Sequence, residues 1–269
     1  MAMISMKKNA AILFATLGLG LFNSHVVLAQ ETQKAPVAIP QVSEEMRYSL
    51  TPYLWLVNVG GDLNYKNRTL VDQKVSTSQL LSSFQYGGML EGEVHKGNWG
   101  FAANLLYASV QNGSSRIRDT VDLGSTTTAQ LGIYNLAATY TIFNSKQAYV
   151  DAMLGVRILS MDAKIDVNAQ GTPAGTTFKS NSTITNPIVG IKGRYRIGES
   201  DYFVPFYADV GGGVDGTQLT TQGILGLGKA YDWGDLMLVF NDVYYQTKSG
   251  GTTTNLNFYG AAVGVTFKF

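Results

Sequence analysis

Cysteine is absent from this chain of 269 residues, and histidine occurs only twice, as His25 and His95. The lack of cysteine excludes disulfides and thiolate metal sites. Charged residues make up only 14% of the chain, and the formal net charge is +1. Because binding to nucleic acid usually needs a basic patch or a strongly basic balance, we expect no nucleic-acid partner.

Long apolar runs are also scarce, and the one that exists lies near the amino terminus. Lys7 and Lys8 precede an apolar stretch over residues 10–22, and residues 27–29 form a plausible cleavage site. This order is typical of a secretory signal peptide, so we predict that residues 1–29 are removed. The alternative is a membrane-anchoring helix, but a helix that spans a bilayer needs roughly 20 apolar residues.

The rest of the chain divides into a short segment and one long repeating region. Residues 30–47 are polar, contain Pro36 and Pro40 and lack periodicity, which predicts a flexible periplasmic segment. Residues 48–269 alternate between turn residues and segments rich in Val, Ile, Tyr, Phe and Thr. We predict ten strands, at about 48–58, 83–96, 98–110, 128–142, 147–162, 183–197, 201–213, 217–230, 234–248 and 254–269.

The predicted connections alternate in length. Tight turns are expected at 96–98, 144–146, 198–200 and 231–233, with longer segments at 59–82, 111–127 and 163–182 and shorter ones near 214–216 and 249–253. Short turns on the periplasmic side and longer loops outside are typical of transmembrane barrels. An even number of strands also places both ends of residues 48–269 on one side.

The last strand alternates clearly between two faces. Tyr259, Val263, Phe267 and Phe269 share one face, while the other carries small or polar residues such as Thr266. Apolar side chains toward lipid and small or polar ones toward a lumen are the pattern of a membrane-spanning strand. Aromatic residues near the tight turns, such as Trp99 and Trp233, also fit an interfacial girdle. The alternative is that aromatics simply favour strands.

Charged residues on strands two, five and six each share one face, and we expect that face to point to the lumen, because hydrocarbon does not tolerate charge. We predict that the inward charges form one network, because strands two and six face each other. Glu91 and Glu93 would then meet Lys192, Arg194 and Arg196, and Asp151 would lie near Arg194 or Arg196. Opposite charges there would offset their desolvation, although a gated permeation path is the alternative. The predicted members are Glu91, Glu93, His95, Asp151, Arg157, Lys192, Arg194 and Arg196.

These features resemble the outer-membrane β-barrel proteins of Gram-negative bacteria, over about residues 48–269. The resemblance implies an all-β, antiparallel up-and-down transmembrane barrel of about ten strands, with eight or twelve possible. It also implies secretion, residence in the outer membrane, and contact with outer-membrane lipids and lipopolysaccharide, with the protein a monomer. Tyr259, Phe267 and Phe269 resemble the signal that the barrel-assembly machinery recognises.

Chemistry is harder to predict than architecture, because this class includes structural proteins, adhesins, channels and enzymes. We expect a structural or surface-interaction role; the alternatives are a narrow, porin-like diffusion channel and, third, a lipid-modifying or proteolytic enzyme. The ten-stranded omptin proteases carry an Asp-His pair at the outer rim, whereas His95 lies beside a predicted periplasmic turn. No nucleophile is placed to use His95. We therefore expect no catalytic site, metal or cofactor.

Overall fold

A computed structural model describes residues 38–66, 68–112, 116–117, 121–122, 126–167 and 176–269. The predicted signal peptide and residues 30–37 lie outside the described residues. Within the described part of the chain, no helix is long and apolar enough to cross a membrane.

Antiparallel strands dominate the described residues. Ten of them form one closed barrel, so the predicted fold class and strand number are confirmed. In ring order the barrel strands are β1, β3, β4 and β7 to β13, and β13 pairs with β1 to close the ring. The elements are β1 Arg47–Tyr65, β2 Arg68–Val75, α1 Thr77–Ser83, β3 Phe84–Lys96, β4 Trp99–Asn112, β5 Arg116–Ile117, β6 Val121–Asp122, β7 Thr126–Asn144, β8 Ala148–Val167, β9 Thr176–Arg196, β10 Tyr202–Gly211, β11 Thr217–Tyr231, β12 Gly234–Ser249 and β13 Thr252–Lys268.

The four tight turns lie at one end of the barrel, together with the start of β1 and the end of β13. We call this end the periplasmic end, because short turns face the periplasm in barrels of this kind. Gly97 and Gly198 adopt φ values of 56° and 60° in two of these turns. Glycine suits both positions because a β-carbon makes a left-handed backbone unfavourable.

All three long predicted loops contain paired strands, so their predicted bounds are wrong. In the segment 111–127, β5 pairs with β6. In the segment predicted as the loop 59–82, β1 continues to Tyr65 and folds back as β2, and α1 follows. In the segment 163–182, β8 continues to Val167 and β9 begins at Thr176. Residues 176–182 are largely polar and β2 has no regular alternation, which is why these strands were not predicted. The sequence of the β8 extension does alternate, with Ile165 and Val167 opposite Lys164 and Asp166, so that signal was present and was missed.

The outer surface carries an apolar belt with aromatic residues at its periplasmic edge. Trp99 and Tyr140 are exposed and meet edge to face, with ring centroids 4.9 Å apart. This arrangement fits a lipid-facing surface with an interfacial girdle. The aromatic pattern alone would also place Tyr149 and Phe203 there, but both side chains are buried inside the barrel.

The wall has an irregular seam between β1 and β3. These strands pair only from Arg47 to Pro52 along β1, and β2 becomes the partner of β1 from Val59 onward. Residues 53–58 therefore pair only with β13, and residues 84–89 of β3 pair only with β4. The thioether sulfur of Met89 lies 3.2 Å from the backbone nitrogen of Trp55 within this seam.

Candidate functional site: the barrel lumen

A mouth cluster of three charged residues lies at the periplasmic end of the lumen. The carboxylate of Asp235 is fully buried and accepts hydrogen bonds from Arg194 Nη1 at 2.8 Å and Lys268 Nζ at 2.6 Å. The guanidinium of Arg194 also lies 4.4 Å from the centre of the Phe203 ring. Two cations on one carboxylate compensate its burial and leave the cluster with net positive charge.

The chain that precedes β1 crosses this mouth. Ala38 and Ile39 are buried, and Ala38 packs against Phe203. The amide of Asn144 donates to the carbonyl oxygen of Pro40 at 2.8 Å. We predicted a flexible segment over 30–47, but its described part, residues 38–46, contacts the barrel, because buried apolar groups and backbone hydrogen bonds offset the loss of chain entropy.

A second group, the Glu-Lys cluster, lies deeper in the lumen. Lys192 Nζ forms an ion pair with Glu93 and lies 3.7 Å from Glu91. His95 Nε2 is 3.0 Å from Glu93, and His95 Nδ1 is 3.4 Å from the hydroxyl of Tyr149. The cluster joins β3 to β9, which are four positions apart in the ring and therefore face each other across the lumen.

Three predicted partners are placed differently. Arg194 contacts Asp235 rather than the Glu-Lys cluster. Asp151 is fully buried, faces Lys192 in the strand register and accepts a hydrogen bond from Thr141 at 2.8 Å, so its predicted contact with Arg194 or Arg196 is not made. Arg196 instead donates to the carbonyl oxygen of Ser200 at 2.7 Å, because it ends β9 and the adjacent turn presents unpaired carbonyls.

A third group, the arginine layer, crosses the middle of the barrel. Arg157 is fully buried and donates to Asp209, to Asn135 at 3.0 Å, to Thr220 at 3.1 Å and to Gln222 at 2.7 Å. Buried charge of this kind is stable only when it is paired and hydrogen-bonded. The layer therefore ties β7, β8, β10 and β11 together across the lumen.

Beyond the arginine layer, apolar side chains fill the lumen toward the outer end. They include Trp55, Leu159, Val243 and Phe258, all of which are buried. The indole Nε1 of Trp55 donates to the carbonyl oxygen of Gly260 at 3.2 Å, which pairs its polar atom. Over the described residues, the lumen thus passes from charged groups to an arginine layer and then to an apolar core.

A cavity of about 450 Å³ remains in the periplasmic half. One wall is polar and includes Glu91, Glu93 and Lys192, while the facing strands contribute Met237 and Val239. Residues Pro40 and Gln41 lie at the same opening. The cavity is therefore amphipathic, and its size falls in the range of small-ligand sites.

Sequence reasoning missed Arg47, Asp209 and Asp235 as members of the lumen. Each of them has few or no other charged residues on the inward face of its described strand. The lumen prediction was based on strands that carry several charges on one face, so these isolated charges were overlooked. The period-two alternation was nevertheless a usable signal, because Asp235 shares a face with Met237 and Val239 on β12.

The three residues predicted as an assembly signal lie on or just after β13. Tyr259 is half-buried, while Phe267 and Phe269 are 40% and 75% exposed. The backbone of Phe269 exchanges two hydrogen bonds with Tyr48, at 3.0 and 3.2 Å, where β13 meets β1. These positions belong to the strand pair that closes the barrel.

A polar groove of about 270 Å³ lies on the outer-end extension of β7, β8 and β9. Lys164 and Lys179 are directly opposite each other in the strand register there. Lys164 Nζ donates to Asp166 at 2.7 Å, and this hydrogen bond lowers the pKa of the Asp166 carboxyl. In the part of the chain that the structure describes, no three His, Asp or Glu residues come together as a metal site.

A closed ten-stranded antiparallel barrel with an apolar outer belt has the architecture of a transmembrane β-barrel. The chain is similar to the outer membrane protease OmpT from Escherichia coli, with a TM-score of 0.54 and 10% identity over 86% of this chain and 99% of OmpT. At this identity the likeness shows the fold alone.

Two further solved structures are similar over most of the chain. The attachment invasion locus protein Ail of Yersinia pestis has a TM-score of 0.35 and 11% identity, covering 83% of this chain and 99% of Ail. Neisserial surface protein A has a TM-score of 0.33 and 15% identity, covering 84% of this chain and 100% of that protein. A scan against protein-family models and a search of curated proteins found no match.

Proposed function

We propose that this protein is a non-enzymatic outer-membrane barrel with a sealed lumen, and that it serves as a structural or surface-interaction component. The arginine layer carries this proposal. Arg157, Asp209 and Gln222 meet in the middle of the barrel and the apolar core fills the lumen beyond them. A solute would have to break buried ion pairs and then enter a packed apolar region, and both steps are costly.

The proposal also includes the route of the chain to the membrane and its lipid partner. Cleavage after residue 29 would deliver the chain to the periplasm, and the barrel-assembly machinery would insert it as a monomer into the outer membrane. Lipopolysaccharide is the proposed lipid partner. Lys179 supports this, because it is exposed on the outer-end extension, where its opposite residue Lys164 already pairs with Asp166, and an anionic head group could pair with it.

A narrow diffusion channel is the second candidate, and the cavity in the periplasmic half favours it. Conductance of the mature chain in planar lipid bilayers separates the two candidates. We expect no discrete current steps from the purified barrel under conditions in which a porin control conducts. Regular steps that scale with protein concentration would overturn the sealed-lumen proposal and favour the channel.

A further inference from the structure

The cavity in the periplasmic half has the shape and chemistry of a binding site. We propose that it binds a small amphiphile, with an anionic head group and a short apolar tail, that enters from the periplasm. This inference goes beyond the structural role and is compatible with it, since the cavity lies below the arginine layer. Its volume of about 450 Å³ suits a ligand of this size.

The charges on the cavity wall favour an anion. Among its described lining residues are four cationic side chains and two carboxylates. Lys192 is neutralised by Glu91 and Glu93. The other three cations, Arg47, Arg194 and Lys268, lie at the opening. Arg194 and Lys268 share the single carboxylate of Asp235, so one positive charge is left over there, and Arg47 adds a second.

Arg47 is the cation best placed to receive the head group. Its Nε and Nη2 atoms are buried, yet neither has a hydrogen-bond partner among the described residues. Buried nitrogens that lack partners are costly, and a carboxylate or phosphate can accept two parallel hydrogen bonds from Nε and Nη2. Arg47 is the first residue of β1, so the head group would lie at the mouth.

The apolar side of the cavity lies farther from the periplasmic end. Ile224, Val239 and Ala262 line it, and each is several residues farther along its strand than Arg47 or Lys268. A ligand whose head group contacts Arg47 would therefore direct its tail toward these side chains. Burial of the tail would add favourable free energy in proportion to its apolar area.

The segment over residues 38–41 lies where the ligand would enter. Pro40 and Gln41 line the cavity, and the carbonyl oxygen of Ala38 lies 3.4 Å from Arg194 Nη1. An anion at the mouth would compete with this carbonyl for Arg194. The mature chain, including residues 30–47, is therefore the form to be tested.

Calorimetric titration of the mature protein in lipid nanodiscs tests the proposal, with empty nanodiscs as the control for partitioning. Hexanoate and hexyl phosphate should each bind saturably, and their relative affinities identify the preferred head group. Hexanol lacks the charge and acetate lacks the tail, so each should bind at least about tenfold more weakly, as expected for loss of a charge-assisted hydrogen bond or of a buried tail.

Variants locate the site. Arg47→Gln should weaken hexanoate binding by about tenfold, and Val239→Phe should abolish it by filling the cavity. Lys74→Gln removes one positive charge from an exposed position on β2, outside the cavity, and should leave binding unchanged. A shift in gel migration on boiling verifies that each variant is folded. The proposal is wrong if wild-type protein gives no saturable heat above empty nanodiscs, if hexanol binds as well as hexanoate, or if Arg47→Gln and Lys74→Gln behave alike.

Discussion

At the scale of single residues, the lumen separates its charges into groups with defined partners. Sequence alternation was enough to place Glu91, Glu93 and Lys192 inside the barrel, because charges on a lipid-facing surface are unfavourable. Alternation does not give the height of a residue along the lumen, since strand tilt and register set it. This is why Arg194 was expected beside Glu93 and instead contacts Asp235.

Double-mutant cycles should separate these groups. Glu93→Gln and Lys192→Gln should be non-additive in the free energy of unfolding, with a coupling of ~0.5–3 kcal/mol, because the two side chains form an ion pair. Glu93→Gln and Arg194→Gln should add within ~0.5 kcal/mol, since they have no direct contact. Urea unfolding in lipid measures both. Equal coupling in the two cycles would show that the lumen holds one continuous charge network.

At the scale of elements, the sequence was most informative where one face of a strand meets lipid. The alternation on β13 and β9 predicted which face of each strand points to the lumen. On β1, the four consecutive residues Tyr53, Leu54, Trp55 and Leu56 are all large and apolar, so the sequence does not show which of them point inward. The barrel separates them, with Trp55 buried inside and Leu54 and Leu56 exposed. The start of α1 was readable, because Ser76 and Gln79 form a capping box, although the helix was not predicted.

The seam between β1 and β3 predicts uneven protection of backbone amides. Residues 84–88 are exposed on both faces and have no ladder partner on the β1 side. Their amides that point toward β1 should exchange with deuterium faster than those of residues 101–105 in β4, which is paired on both sides. Hydrogen exchange in nanodiscs with peptide-level mass spectrometry makes this comparison. Equal protection of the two peptides would mean that the seam is closed in the membrane.

At the scale of the whole molecule, stability depends on closure of the ring. The chain has no cysteine, so no disulfide contributes. Charged and polar groups line the lumen around a cavity in one half, and apolar side chains fill the other half. A closed ring pairs the edges of the sheet, which an open sheet would leave exposed to hydrocarbon. The pairing of β1 with β13 is therefore the step that completes the fold.

Phe269 should matter more for assembly than its exposed side chain suggests. Its backbone forms two hydrogen bonds with that of Tyr48 at the closing strand pair, and the residue is 75% exposed at the periplasmic end of the barrel. Phe269→Lys should therefore lower the amount of heat-modifiable barrel in outer-membrane fractions by several-fold. Val214→Lys is the matched control, because Val214 is also an exposed apolar residue, 44% accessible, but lies in the outer connection between β10 and β11. Equal membrane levels of the two variants would show that the end of β13 contributes no more to assembly than an outer loop does.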